Sequence, residues 1–358
     1  MPAGLSAGLA AAGAEAVPLD ARFPGFGRIA NLRKLSWAEA TASAPFAALS
    51  GAVAKRAVRR ARLDGAVAIG SGFVLDTELP VVTFEDMTLA QALRRQDPVY
   101  DALAPAARQR WLDRQRRIYE RASGCCATSH WVADSLGEDY GVTADRVHVV
   151  GLGRNIEREA PPQRDWSVPR FLFAGFDWER KRGGAVVEAF AAVRERLPEA
   201  TLDLVGGHPE IAAPGVTGHG RLPLRDPESR RRFTGLIERA TCFLMPSTYE
   251  PFGIAYVDAG AAGVPSIGTT VGGAPDAVGP GGLLVDPGDG VAALTEAMLE
   301  LAEPATAQRL GALAAAHSAL LTWQAVGERV LRALRLPGLD PDSLIPFLEP
   351  MPREERTR

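Results

Sequence analysis

Apolar positions follow two regimes along this chain. Beyond residue 170, short apolar runs at 171–175, 201–207, 241–247, 264–268 and 282–285 alternate with longer segments of helical periodicity. Strands buried on both faces read as continuous apolar runs, so the alternation predicts an α/β domain built on a parallel, doubly wound sheet. Ligands on such sheets bind at the carboxyl ends of the strands, and chemistry is sought in the loops that follow each run.

The first half is less regular. Leu5 and Leu9 share one face of a predicted helix that stops at Gly13, and a strand is expected over 16–19. An α/β domain ordinarily opens on a strand; its lack before Leu5 suggests a late start or a dispensable first strand. Ser36 with Glu39 forms a capping-box signature for a helix reaching about Arg62, bent at Pro45. Strands are predicted at 66–69, 80–84 and 124–128. Between the last two lies a helix over 105–121 with six arginines against Asp113 and Glu120, read as a solvated face rather than a patch for anionic acceptors or lipid headgroups. The run Val147 to Asn155 reads as a strand entering a Gly-containing linker. Domains are therefore expected at 1–150 and 151–322, with a helix at 323–334 packing back and a Pro-rich tail to 358.

Composition narrows the class. At 358 residues the chain suits two hydrophobic cores with a cleft between them, and 46% hydrophobic with 23% charged residues is globular. A net charge of -3 gives no basic footprint for nucleic acid. Cys125, Cys126 and Cys242 form neither a disulfide framework nor a zinc pattern, which fits a reducing cytoplasm or its membrane face. No apolar run reaches the roughly 20 residues of a transmembrane helix. Asp340-Pro-Asp342 matches the acidic DxD metal motif of some sugar transferases, but its place among prolines makes chance the better reading.

The richest segment is Met245-Pro-Ser-Thr-Tyr-Glu250, followed by Pro251 and a helix expected to begin near Phe252. The free amides and positive dipole end of that helix suit a diphosphate, and Gly253 lets it approach the backbone. Asp258 lies roughly 8–12 Å beyond Glu250 by helical rise, so the two acids would meet different parts of an elongated ligand such as a nucleotide-sugar. Alternatively, Glu250 complements the dipole and Asp258 is an ordinary helical acid.

Context favours the first reading. The segment resembles the Glu-x7-Glu motif of retaining family 4 ("group 1") glycosyltransferases, with Pro246-Ser247 and Glu250-Pro251-Phe252-Gly253 as lead-in. The likeness continues through Gly260-Ala-Ala-Gly-Val-Pro265, Gly272-Gly-Ala-Pro-Asp276 and Gly281-Gly-Leu-Leu-Val-Asp-Pro-Gly-Asp289. Phe171-Leu-Phe-Ala-Gly-Phe-Asp-Trp-Glu-Arg-Lys-Arg-Gly183 is similar to the family's strand and basic loop. The resemblance covers about residues 123–335 and implies two Rossmann-like doubly wound domains facing a cleft, the GT-B fold. It also implies transfer of a sugar from a nucleoside diphosphate sugar to a glycan, lipid or small-molecule acceptor hydroxyl, with retained configuration. Lys181 and Arg180 would neutralise the diphosphate with the amides of Phe252, Gly253 and Ile254; Ser247 joins this donor set, Glu250 would orient the sugar and Asp258 the ribose. No cofactor or metal is required.

Departures from the pattern matter. Asp258 replaces a glutamate, and Phe176 stands where the basic loop usually has arginine. No first-domain histidine is evident for the anomeric centre, since His130 suits a structural role; Asp86, in Glu85-Asp-Met-Thr88, is the candidate in its place, unless it merely opens a helix. Alternatives are a non-catalytic nucleotide-sugar-binding protein, a nucleotide-sugar epimerase or a glycan phosphorylase.

Overall fold

The computed structural model describes residues 2–23, 26–27, 35–156 and 161–350. The chain divides into two compact units, one running to Gly151 and resuming over Trp323–Glu349, the other comprising Leu152–Thr322.

In the first unit the described residues form one parallel sheet in the order β1 (Ala66–Ile69), β2 (Val81–Glu85), β3 (Gly124–Ala127), β4 (Val147–Val149). The strand β3 is buried throughout, as its apolar run requires. The helix Trp323–Leu334 lies on β2 and β3, and the helix Pro2–Ala11 lies on it in turn. Glycines make that crossing possible: a Cβ at Gly8 would stand 1.9 Å from the Trp323 carbonyl oxygen, and one at Gly327 would meet the Gly8 backbone at 2.5 Å. Beyond this helix, Leu348 N–H donates to Val149 O, and the Phe347 ring stacks on His148 at 4.4 Å. In the Asp340-Pro-Asp342 segment, Asp340 accepts from Asp342 N–H at 3.0 Å, while Asp342 pairs with Arg332 at 3.0 Å.

Three expectations change here. The helix drawn from Ser36 to Arg62 is two helices, Trp37–Ala42 and Ala44–Ala61, because Ser43 is extended (ψ 127°). Proline has no N–H and crowds the residues before it, so Pro45 fits the first turn of a new helix, not the middle of one. Residues 16–19 form no strand; among the described residues no backbone pairs with them, and Val17 and Leu19 remain exposed. In the helix Pro105–Arg121, most arginines face solvent but Arg114 is core. Its guanidinium donates to Thr41 O at 2.6 Å and Ser71 O at 3.3 Å, and burial lowers its pKa to about 10.

The second unit carries a parallel sheet in the order β10 (Gly282–Val285), β9 (Ser266–Thr269), β8 (Cys242–Leu244), β5 (Arg170–Gly175), β6 (Thr201–Gly206), β7 (Val216–Gly218). The short, half-exposed β7 has no apolar run and escapes the periodicity argument. One face of the sheet is closed by the helices Gly183–Arg196 and Gly290–Ala302, whose Val186, Phe190, Leu294, Met298 and Leu301 pack on Phe171, Phe173, Leu202, Leu204 and Leu244. Strand order reverses between β5 and β8, which pair as Phe171 with Cys242. A doubly wound sheet opens its crevice at such a reversal, at the carboxyl ends of the strands.

Candidate active site

The loops leaving β5 and β8 converge at this reversal. After β5 the chain passes through Phe176, 66% exposed, and then turns so that Lys181 N–H donates to Asp177 O and Arg182 takes a left-handed conformation (φ 56°) before the helix Gly183–Arg196. The turn brings Lys181 inward and leaves it 8% exposed. From β8, Met245-Pro-Ser-Thr-Tyr-Glu250 crosses the strand ends, and Thr248 N–H donates to Arg180 O at 2.8 Å, joining the loops.

Their side chains form one buried cluster. The Lys181 ammonium donates to Glu250 Oε2 and lies 3.1 Å from Met245 Sδ. Ser247 Oγ donates to the same carboxylate oxygen at 3.3 Å, and Arg180 Nη1 lies 3.5 Å from it while donating to Tyr249 O at 2.9 Å. The Arg180 guanidinium also covers the Tyr249 ring at 5.2 Å. Burial pushes the Lys181 ammonium down from its ordinary range; the Glu250 charge acts against this, and Arg180 adds to it. Lys181 and Glu250 therefore depend on each other: neither charge has bulk water to solvate it.

Backbone contacts fix the acid. Glu250 N–H donates to Val271 O at 3.1 Å and its carbonyl accepts from Gly273 N–H at 2.8 Å. Gly272 sits between at φ +95°, where a Cβ would stand 2.2 Å from Glu250 O, so only glycine fits without displacing Glu250. The helix that follows is Ile254–Ala261, starting two residues later than Phe252 because Gly253 is its left-handed N-cap (φ 91°). Pro251 accordingly precedes the helix and does not fill its first turn. Phe252 is buried, Ile254 half-buried, and Tyr256 O–H anchors the helix to Met245 O.

Sequence reasoning thus names a set, Arg180, Lys181, Ser247 and Glu250, that the fold gathers around one carboxylate oxygen, with Phe252, Gly253 and Ile254 at the adjoining helix end. Lys181 and Glu250 are both buried. Asp258 is elsewhere in the same helix and engaged otherwise: its carboxylate accepts the N–H groups of Asn155 at 2.6 Å and Ile156 at 3.0 Å. Asp86 belongs to the first unit, half-buried beside a cavity over the ends of β1 and β2 that Ser71, Thr88, Trp111 and Gln115 also line. The residue missed there is its neighbour Glu85. This carboxyl is 3% exposed, its Oε1 has no hydrogen-bond partner among the described residues, and burial, then the Asp86 charge, push its pKa up to about 8. A glutamate closing an apolar strand run was the available signal.

Comparisons with known proteins bear on the fold and on the second unit's likeness. Residues 168–304 match the family model described as glycosyl transferases group 1. The D-inositol 3-phosphate glycosyltransferase of Streptomyces avermitilis is 28% identical over 254 residues, covering 62% of this chain and 53% of the relative. That of Streptomyces bingchenggensis is 30% identical over 257 residues, covering 62% and 54%. The match thus spans about half the length of these curated relatives. Among solved structures, sucrose-phosphate synthase from Thermosynechococcus elongatus has a TM-score of 0.60 at 21% identity, covering 81% of this chain and 78% of that one. WaaG, a glycosyltransferase involved in lipopolysaccharide biosynthesis, has a TM-score of 0.58 at 16% identity, covering 82% and 83%. The two parallel α/β units with these neighbours define the GT-B class. Within that class, residues 168–304 match the group 1 glycosyltransferase model, and the chain is similar to group 1, family 4-like glycosyltransferases.

Proposed function

We propose that this protein transfers a glycosyl group from a nucleoside diphosphate sugar to an acceptor hydroxyl, with retained anomeric configuration. The observation that carries the reading is the buried Lys181–Glu250 pair at the sheet's reversal point, beside the N-terminus of the helix Ile254–Ala261. The leaving diphosphate develops negative charge, and preorganised cations and amides stabilise such charge best in a desolvated site. Lys181, Arg180 and the amides near Gly253 supply them, so the step draws on fixed electrostatics and asks for no covalent intermediate on these residues. Glu250, held by Ser247 and by backbone bonds on both sides, orients sugar hydroxyls. As the donor enters, Lys181 exchanges part of its contact with Glu250 for the diphosphate.

Acceptor contact belongs to the first unit, at the cavity beside Asp86. The relatives' acceptor, D-inositol 3-phosphate, is one member of a panel that should also contain glycans and lipid-linked hydroxyls; the last would place the protein at the inner membrane face. Calorimetry against UDP, GDP, ADP and dTDP tests the donor reading, and transfer from the matching nucleotide-sugars, with and without EDTA, tests the activity and its independence of metal. Binding of one nucleotide with turnover supports it; binding with neither transfer nor hydrolysis across the panel would identify a non-catalytic binding protein instead.

A further inference from the structure

The helix Ala44–Ala61 in the first unit has two faces of different character. Phe46, Ser50, Ala54 and Val58 recur every fourth residue and are buried, the inward stripe expected of a surface helix. The same four residues wall the cavity beside Asp86. One flank lies against the loop that follows the first strand: a Cβ at Gly51 would stand 3.0 Å from Val74 O, and Lys55 donates to Asp76. The outward positions Ala48, Leu49, Ala52, Arg56, Arg59 and Arg60 are all exposed.

A helix face turned to water ordinarily carries polar residues along its length. This one divides instead. Its first half is apolar, with Leu49 49% exposed, its second half is basic, and the helix contains no Asp or Glu. Arg59 and Arg60 in the last turn complement the helix dipole, but that explains neither Arg56 nor the bare Leu49. A second element extends the basic end: Asp76 also accepts from Arg121 at 2.9 Å, at the end of the helix Pro105–Arg121, where Arg117 is exposed as well. A nucleic acid would favour cations along the whole face. An anionic bilayer surface matches both halves, offering an acyl boundary to the apolar residues and phosphates to the arginines.

We propose that the outward face of the helix Ala44–Ala61 seats the first unit on an anionic lipid surface, with Ala48, Leu49 and Ala52 entering the headgroup boundary and Arg56, Arg59 and Arg60 binding lipid phosphates. This contact does not depend on the transferase reading. Its consequence for the acceptor does: the cavity walled by the opposite face of the same helix is brought to hydroxyls carried in the membrane.

The test uses the full chain and sedimentation with vesicles of phosphatidylcholine, with and without phosphatidylglycerol. The expected result is partition at least tenfold stronger onto the anionic vesicles, weakening as salt screens the charges. The double variant Arg56→Ser with Arg59→Ser, both sites exposed, should keep the wild-type melting temperature and lose that partition at least tenfold. Cys125, Cys126 and Cys242 are buried, so a maleimide dye reports on an introduced surface cysteine. On anionic vesicles the emission of dye at Leu49→Cys should shift to the blue, and that of dye at Glu228→Cys in the second unit should not. Equal partition onto the two vesicles overturns the proposal, as does full partition of the arginine variant. An unshifted dye at Leu49→Cys on protein that sediments means that another face binds, and soluble polyglutamate that captures the protein without that shift means an acidic polypeptide partner; either overturns it. Should the cysteine variant not fold, the arginine variant decides alone. Failure of nucleotide binding or transfer leaves the vesicle result standing, so the two readings fail separately.

Discussion

Lys181 and Glu250 share one buried hydrogen bond, and each is the other's solvent. Removing one partner of such a pair strands a charge and costs about 3–5 kcal/mol, while removing both is far milder. Lys181→Met should therefore lower both the melting temperature and turnover, the latter by roughly a hundredfold or more since the diphosphate loses its buried cation. Lys181→Met with Glu250→Gln should recover much of the stability but none of the turnover, which separates the pair's structural part from its chemical one. Equal melting temperatures for Lys181→Met and wild type would contradict the burial argument. Glu85 yields a pH prediction. Its folded pKa of about 8 lies above the ordinary 4.5, so the folded state binds this proton more tightly than the unfolded chain. The contribution is complete below about 4.5 and is lost as pH rises through 8, on the order of 3–5 kcal/mol. Melting temperature should fall between pH 5 and 9 in the wild type, and Glu85→Gln should flatten that slope; parallel curves would sink the assignment.

At the level of elements, the donor site hangs on short connections rather than on the strands themselves. Gly272 holds a left-handed conformation against the Glu250 carbonyl, and a side chain there pushes on the residue that carries the site. Gly272→Ala should cost at least about 1–3 kcal/mol and depress turnover far more than it weakens the fold, measured by chemical denaturation and donor kinetics. Gly290, also left-handed (φ 76°) but with open space around its missing Cβ, should show the conformational cost with little loss of turnover. Elements whose periodicity spans several turns, such as Pro105–Arg121 and Trp323–Leu334, are legible in the sequence because an amphipathic stripe marks them. The break at Ser43 is only half legible: Pro45 announces a disturbance, but bend and fresh start differ by one extended residue that packing selects. Strand β7 is illegible because three residues, one half-buried and two exposed, carry no hydrophobic signal.

For the whole molecule, a ligand that binds only the folded form stabilises it by mass action, about 2.7 kcal/mol at a hundred times Kd. The preferred nucleotide should raise the melting temperature of the wild type, and the protection from hydrogen exchange it adds should gather at residues 176–182 and 245–254; protection centred on β1 and β2 would place the nucleotide in the wrong unit. The parallel α/β class, the Arg180–Lys181 and Ser247–Glu250 segments and the helix after Gly253 were determined by the sequence itself, because buried strands, glycines forced into left-handed turns and a helix N-terminus each leave a local mark. Contacts between segments far apart in the chain were left to the tertiary structure. It buried Arg114 although its helix reads as a solvated face, it buried Lys181 against Glu250, it singled out Glu85 over Asp86 as the deeply buried acid, and it turned Asp258 toward Asn155 and Ile156, 103 and 102 residues away. Burial and partnership arise only when the sheets assemble, and no pattern confined to one stretch of chain encodes which distant amide a carboxylate will meet.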